Sequence, residues 1–162
     1  MAIELVREYL HKAGRDQDII ELEESSATVE LAAAALHTQP ERIAKSLSFM
    51  VNDNAVIIVC AGDCKIDNHA FKEQFGVKAK MLKPEEVLLH TNHEIGGVCP
   101  FAVPDKTAIY LDVSLQRFDY VYPACGSANS AIRLSCEELE ALLPPTSWID
   151  VGKGYPGATH GA

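Results

Sequence analysis

The chain has 162 residues, of which 48% are hydrophobic and 23% are charged, a composition typical of one globular domain with a sizeable core. Its 14 basic and 23 acidic residues give a net charge of −9, which argues against a long phosphate-backbone footprint and predicts only local contact with nucleic acid. No apolar run approaches the ~20 residues of a membrane span. The acid-containing amphipathic N-terminus is not typical of a secretory signal, so we expect a cytoplasmic protein without membrane contact.

The first forty residues predict two helices with a short strand between them. Apolar residues recur at helical spacing over residues 3–13, after which Gly14 ends the helix. Residues 18–22 form a short strand candidate. The second helix, over residues 29–36, is alanine-rich and follows Thr28, whose side chain can cap it.

Two strong strand candidates come next and predict a hairpin. Residues 45–51 alternate polar and apolar side chains, which indicates a strand with one buried face. Residues 52–54 are Asn-Asp-Asn, which favours a turn. Residues 55–61 are continuously apolar and rich in β-branched side chains, which predicts a central, fully buried strand.

The second half of the chain predicts further helices and strands in irregular alternation. Helices are expected over residues 69–75, from Pro84 onward, and after Ser135, where Ser and Glu stand three apart as in a capping box. The expected strands are residues 107–113, 120–125 and 130–134. This order, with its hairpins, predicts a single α+β domain over residues 1–151, followed by a flexible glycine-rich tail over residues 152–162.

The five cysteines do not form a recognisable pattern. Their number is odd and their spacings are irregular, which argues against a disulfide framework. Cys60 and Cys64 are four apart, but zinc sites usually combine two such close pairs. We therefore expect neither a metal nor another cofactor. The cysteines are Cys60, Cys64, Cys99, Cys125 and Cys136.

Three segments carry residues suited to chemistry. Lys45 begins a strand, where its ammonium could reach a phosphate or a carbonyl oxygen, although most lysines are solvated. Residues 96–101, Gly-Gly-Val-Cys-Pro-Phe, predict a stiff loop with exposed backbone N–H groups, or simply a tight turn. Residues 123–130 read as a strand–turn–strand of small side chains, which is also typical of an ordinary hairpin.

These three segments, in this order and spacing, resemble the YbaK/ProX family of aminoacyl-tRNA deacylases, which also occurs as the editing domain inserted into bacterial prolyl-tRNA synthetases. The resemblance covers nearly the whole chain. It implies a coiled, mixed sheet flanked by helices, and hydrolysis of mischarged aminoacyl-tRNA in trans without a metal. The implied partners are the acceptor end of the aminoacyl-tRNA and, as a candidate, a synthetase.

The resemblance also implies roles for individual residues. Lys45 matches a lysine that contacts the terminal nucleotide or the substrate carbonyl, and Gly96 and Gly97 match a loop that positions the ester and the attacking water. Gly126 and Ser127 match a third wall of the pocket. The residues expected to bind substrate are Val98, Cys99, Pro100, Phe101, Gly126, Ser127 and Asn129.

The small residues of the loop predict a small amino acid: alanine, serine, threonine or cysteine, including on proline tRNA. A non-catalytic module that binds an amino acid, a nucleotide or an aminoacyl-adenylate is the alternative. A thiol hydrolase that uses Cys99 is a weaker option, because the sequence shows no clear histidine partner and reactivity needs a lowered thiol pKa.

Overall fold

The computed structural model describes residues 2–161, and within this range the chain forms one α+β domain with five α-helices and nine strands. Single turns of 3-10 helix lie at Asp16–Asp18 and Pro40–Arg42, and a longer one spans Val113–Arg117. The α-helices are α1 (Ala2–His11), α2 (Val29–Leu36), α3 (Asn68–Phe75), α4 (Pro84–Thr91) and α5 (Cys136–Ala141). The strands are β1 (Ile20–Glu21), β2 (Ile43–Val51), β3 (Asn54–Ala61), β4 (Lys65–Ile66), β5 (Ala108–Asp112), β6 (Tyr122–Pro123), β7 (Ser130–Ala131), β8 (Ser147–Ile149) and β9 (Gly152–Lys153).

The main sheet has five strands in the order β6-β2-β3-β5-β8. The predicted hairpin is confirmed: β2 and β3 pair antiparallel from Ala44–Ala61 to Val51–Asn54, with Lys45 opposite Cys60. The other three pairings are parallel, so the sheet is mixed, as predicted from the resemblance. In β3 every residue after Asn54 is buried, as expected for a continuously apolar strand at the centre of a sheet.

Helices cover both faces of this sheet. The larger core cluster packs Val6 and Leu10 of α1 and Leu139 of α5 against residues of β3 and β5. A second cluster packs Phe71 of α3 against Phe49 on the opposite side, with ring centroids 4.9 Å apart. The sheet is therefore buried on both sides, which removes water from the backbone that carries the site.

Local signals in the sequence place the helix ends well. Thr28 Oγ1 accepts a hydrogen bond from the Leu31 N–H at 3.2 Å, which confirms the predicted cap of α2. The predicted capping box is also present: the Glu138 N–H donates to Ser135 Oγ at 3.1 Å, and the Ser135 N–H donates to Glu138 Oε1 at 2.9 Å. None of the helices within residues 2–161 is long and apolar enough to cross a membrane.

The final segment differs from the predicted flexible tail. Strand β9 pairs antiparallel with β4, and Tyr155 is only 9% exposed, within the larger core cluster. Gly152 approaches Cys64 so closely that an added Cβ would lie 2.2 Å from its Sγ. The glycine composition here serves close packing and not mobility, so residues up to at least Tyr155 belong to the domain.

Candidate functional site

A cavity of about 390 Å³ opens at one end of β2, between α2 and the loop that follows α4. Its size falls in the range of small-molecule sites, and most of its walls are apolar, with five alanines among them. The residues that line it are Ser26, Ala27, Thr28, Val29, Ala32, Leu36, Ile43, Ala44, Lys45, Ser46, Leu47, Ser48, Met81, Leu82, Pro84, Val87, Ile95, Gly96, Val98, Tyr122, Ala124, Ser130 and Ala131.

Lys45 supplies the cationic group of this cavity. It lies on β2, half-buried, and its Nζ donates a hydrogen bond to the Gly62 carbonyl oxygen at 3.2 Å. The backbone of Gly62 packs closely against its neighbours, because an added Cβ would lie 2.0 Å from the Pro40 carbonyl oxygen and 2.8 Å from Val29 Cγ1. An ammonium has three hydrogens, so two remain for a ligand after one is committed to a fixed carbonyl.

The glycine loop contributes backbone donors. Gly96 has φ +91°, a left-handed conformation, and Ala27 lies 3.3 Å from the position of an added Cβ. The Gly97 N–H donates to the Glu94 carbonyl oxygen at 3.0 Å, which closes the turn. Within residues 2–161 no acceptor is present for the N–H groups of Gly96 and Val98, and both residues line the cavity.

Gly97 joins the two predicted loops. An added Cβ on Gly97 would lie 2.8 Å from the Ser127 backbone N and 2.9 Å from the Gly126 carbonyl carbon. The structure thus brings the second and third motifs into backbone contact. Gly97, Gly126 and Ser127 line a separate cavity of about 420 Å³ beside α1 and not the cavity of Lys45.

The third wall of the Lys45 cavity comes from residues next to the predicted ones. Ser130 and Ala131 of β7 line the cavity, whereas Ser127 and Asn129 hold the preceding turn. Ser127 Oγ lies 2.9 Å from Asn129 Oδ1 and 2.7 Å from Ser130 Oγ. Asn129 Nδ2 donates to the Leu22 carbonyl oxygen at 3.1 Å. Ser127 and Asn129 therefore position this wall from outside the cavity.

Cys99, Pro100 and Phe101, predicted to contact substrate, lie inside the core instead. All three are buried, and none of them lines the cavity. Phe101 packs against Tyr9 of α1, with ring centroids 6.1 Å apart. Pro100 stiffens the loop where it turns inward, so only Gly96 and Val98 of this segment face the cavity.

Cys99 has a histidine neighbour, His93, which precedes the glycine loop in the sequence but was not predicted to contact the thiol. Its Sγ lies 3.4 Å from His93 Nε2, but burial raises the pKa of the Cys99 thiol to about 12. His93 Nε2 also lies 2.7 Å from the Phe101 carbonyl oxygen, so Nε2 must carry the hydrogen and donate it. A protonated nitrogen cannot accept the thiol proton, which argues against a Cys99–His93 nucleophile pair.

Several cavity residues were not among the predicted site residues. They come from α2 and its cap, from the outer half of β2, and from the segment before α4. In the sequence, the alanines of α2 indicated only a helix. Met81 and Leu82 lay outside every predicted helix and strand. Tyr122 lies in a predicted strand, where an aromatic side chain is equally typical of cross-strand packing. The positions missed include Ala27, Ala32, Ser46, Met81, Leu82, Ile95, Tyr122 and Ala124.

Comparison with known proteins adds three relatives. A protein of Bacillus subtilis (strain 168) described as "Uncharacterized protein YwhH" is 51% identical over 156 residues, covering 96% of this chain and 99% of that protein. A proline–tRNA ligase of Geobacillus sp. (strain WCH70) is 30% identical over 101 residues, which are 62% of this chain but only 18% of the ligase. A solved structure described as a "putative trans-editing enzyme for prolyl tRNA synthetase" has a TM-score of 0.81 at 27% identity, over 91% of this chain and 96% of that one.

The family model described as "Aminoacyl-tRNA editing domain" matches residues 23–142. This span begins before α2 and ends after α5, so it contains every segment that lines the Lys45 cavity. The resemblance inferred from the three motifs is thereby confirmed, and the chain belongs to the aminoacyl-tRNA editing domain family.

Proposed function

We propose that this protein is a trans-acting deacylase that hydrolyses the ester of a mischarged aminoacyl-tRNA carrying alanine, serine, threonine or cysteine, including on proline tRNA. The observation that carries the proposal is one cavity that combines the Lys45 ammonium with the unpartnered N–H groups of Gly96 and Val98. One relative is a proline–tRNA ligase, and one similar structure is described as a putative trans-editing enzyme for prolyl tRNA synthetase, which supports proline tRNA as a substrate. The reaction would take place in the cytoplasm, where charged tRNA is used.

The chemistry required is modest, because an aminoacyl ester is already activated. A water oxygen bonds to the ester carbonyl carbon, the bond to the ribose oxygen breaks, and the water proton passes to that leaving oxygen. The products are the free amino acid and tRNA with a free terminal hydroxyl. The protein has to position the ester and stabilise the negative charge that develops on the carbonyl oxygen.

Each cavity group has a role in this scheme. Gly96 and Val98 N–H groups donate to the developing oxyanion, which is the usual task of backbone donors held in a rigid turn. Lys45 binds the ester carbonyl region or the adjoining terminal nucleotide. Its ammonium is positioned by the hydrogen bond to the Gly62 carbonyl oxygen. Loss of one such donor typically costs about 10²–10³-fold in kcat.

The walls support selectivity for small amino acids. Alanine side chains at positions 27, 32, 44, 124 and 131 form an apolar lining, and a volume of about 390 Å³ accommodates a small aminoacyl group with its ribose. A methylene contributes only about 1–3 kcal/mol of discrimination, which is why a second, hydrolytic site is useful after a synthetase has erred.

Hydrolysis of a panel of charged tRNAs tests the proposal. Alanine, serine, threonine and cysteine esters are presented on their own tRNAs and on proline tRNA, to the wild-type protein, to Lys45→Ala and to Lys106→Ala. Lys106 is exposed and lies outside the cavity, so its variant controls for the loss of a lysine. We expect hydrolysis of one or two esters, lost in Lys45→Ala and retained in Lys106→Ala.

Two results would count against the proposal. Full activity of Lys45→Ala would remove Lys45 from the mechanism. No hydrolysis of any ester by the folded wild-type protein, together with saturable stabilisation by an amino acid or an aminoacyl-adenylate, would instead favour a binding module.

A further inference from the structure

A short lysine-rich segment borders the Lys45 cavity. Residues 78–83, Lys-Ala-Lys-Met-Leu-Lys, lead from α3 to α4, and we call Lys78, Lys80 and Lys83 the lysine rim. All three are exposed. Between them, Met81 and Leu82 line the cavity, and Pro84 continues its wall. The rim thus follows the edge of the opening and lies outside the cavity itself.

The backbone of this segment is fixed against β2. The Met50 N–H donates to the Lys80 carbonyl oxygen at 2.9 Å, and the Leu82 N–H donates to the Ser48 carbonyl oxygen at 3.1 Å. Met81 forms an isolated antiparallel bridge with Phe49. Lys80 therefore lies on a segment paired alongside the strand that carries Lys45, with Lys83 directly after that pairing and Lys78 just before it.

The charges of the rim are not neutralised. Across residues 2–161, none of the three lysines has a carboxylate within ion-pair distance, which they share with the other lysines, whereas four of the five arginines are paired. Glu85 and Glu86 follow in the first turn of α4, where Glu86 accepts a hydrogen bond from the Lys83 backbone N–H at 2.8 Å. In a chain of net charge −9, the distinguishing feature of the rim is the clustering of three exposed lysines within six residues.

Two exposed apolar side chains also lie at the opening. Met81 is 56% exposed and Ile95, on the glycine loop, is 65% exposed, and both line the cavity. A ligand placed between them with its ester at Gly96 would extend out of the opening that the rim borders. Such a ligand carries a nucleoside next to the ester, followed by phosphates.

We propose that Lys78, Lys80 and Lys83 bind phosphates of the RNA acceptor strand as it leaves the cavity. This proposal rests on the proposed function, since it assigns the RNA-contacting surface of the same site. It gives the acidic protein a short electrostatic contact in place of a long footprint, because each lysine–phosphate contact releases counterions. Substrates that lack these phosphates are bound by the cavity alone.

Binding of an uncharged RNA hairpin with an acceptor stem and a single-stranded CCA end tests the rim directly. The lysines are replaced together, as Lys78→Gln, Lys80→Gln and Lys83→Gln, and fluorescence anisotropy is measured from about 50 to 200 mM salt. The control combines Lys12→Gln, Lys65→Gln and Lys106→Gln, three exposed lysines that do not line the cavity. Both proteins change net charge equally, and circular dichroism checks that both are folded.

We expect the rim variant to bind the hairpin at least about tenfold more weakly at low salt, with a log–log salt slope shallower by about two. The control should retain the wild-type slope. Equal slopes and affinities in the two variants would overturn the rim proposal. Because the hairpin carries no amino acid, this result is independent of hydrolysis: failure to deacylate any charged tRNA would contradict the proposed function and leave the binding comparison readable.

Discussion

The Lys45 ammonium and the Gly62 carbonyl oxygen, 3.2 Å apart, connect the proposed catalytic cation to the turn that follows β3. Gly62 has no room for a side chain, since an added Cβ would lie 2.0 Å from the Pro40 carbonyl oxygen. The carbonyl that holds Lys45 is therefore held in turn by a close backbone contact. A methyl group at position 62 should displace this carbonyl and with it the ammonium, and it would also press against Val29 of the cavity wall.

We predict that Gly62→Ala lowers kcat/KM for the hydrolysed ester by at least tenfold and the free energy of unfolding by about 1–3 kcal/mol. Gly14→Ala is the matched control. Gly14 has φ +72° and nothing within 4 Å of an added Cβ, so its variant should lose about 1 kcal/mol and keep its activity. The assay is run well below both melting temperatures, and wild-type turnover by folded Gly62→Ala would contradict the role of this contact.

A second prediction concerns Cys99 and pH. Burial raises its thiol pKa from 9.0 to about 12, so between these values the folded protein holds a proton that the unfolded chain has lost. The free energy of unfolding is thus unaffected by this thiol below about pH 9. Above that pH it falls, by up to roughly 1.4 kcal/mol per pH unit. In urea unfolding at about pH 8 and pH 10, Cys99→Ala should show a weaker decrease than the wild type.

The same variant tests the thiol mechanism. Cys99→Ala should keep full hydrolytic activity at neutral pH, because the thiol is protonated, buried and beside a histidine nitrogen that donates its hydrogen elsewhere. An inactive but folded Cys99→Ala protein would reinstate the thiol as a nucleophile. The other cysteines are unchanged in both proteins, so the difference between them isolates this residue.

The third prediction concerns the C-terminal segment. Tyr155 packs within the larger core cluster, and the Arg117 guanidinium lies 4.4 Å from its ring centroid. Tyr155→Ala should therefore lower the free energy of unfolding by about 2–4 kcal/mol. Tyr155→Phe keeps the ring and should cost less than about 1 kcal/mol. Equal stability of the two variants in urea would show that the segment does not contribute to the domain.

The elements that the sequence predicted well are those with a local cause. The cap at Thr28, the capping box at Ser135 and the apolar run of β3 each depend on neighbours within a few residues. Strand β8 was missed, because its three residues follow two prolines and gain their identity only by pairing with β5. The tail was misjudged for the same reason: glycine content cannot distinguish mobility from a close approach such as that of Gly152 to Cys64.

The candidate site was predictable in its chemistry and less so in its walls. Lys45, Gly96 and Val98 were predicted and face one cavity. Cys99 was predicted to face substrate, yet the loop turns inward after Val98, a direction set by packing against α1 and not by loop composition. The contributions of α2 and β7 arise from pairings between distant parts of the chain, which a motif does not specify.

The strand order has a consequence for how motion is distributed around the cavity. Lys45 lies on β2, which stands between β6 and β3 in the main sheet, whereas the loop at Gly96 follows α4 and belongs to no strand. Amide hydrogens of β3 should exchange with solvent only on global unfolding, while those of the loop exchange through local opening. The strand side of the cavity should therefore be more strongly protected from exchange than the loop side, a difference that hydrogen–deuterium exchange of the two segments would measure.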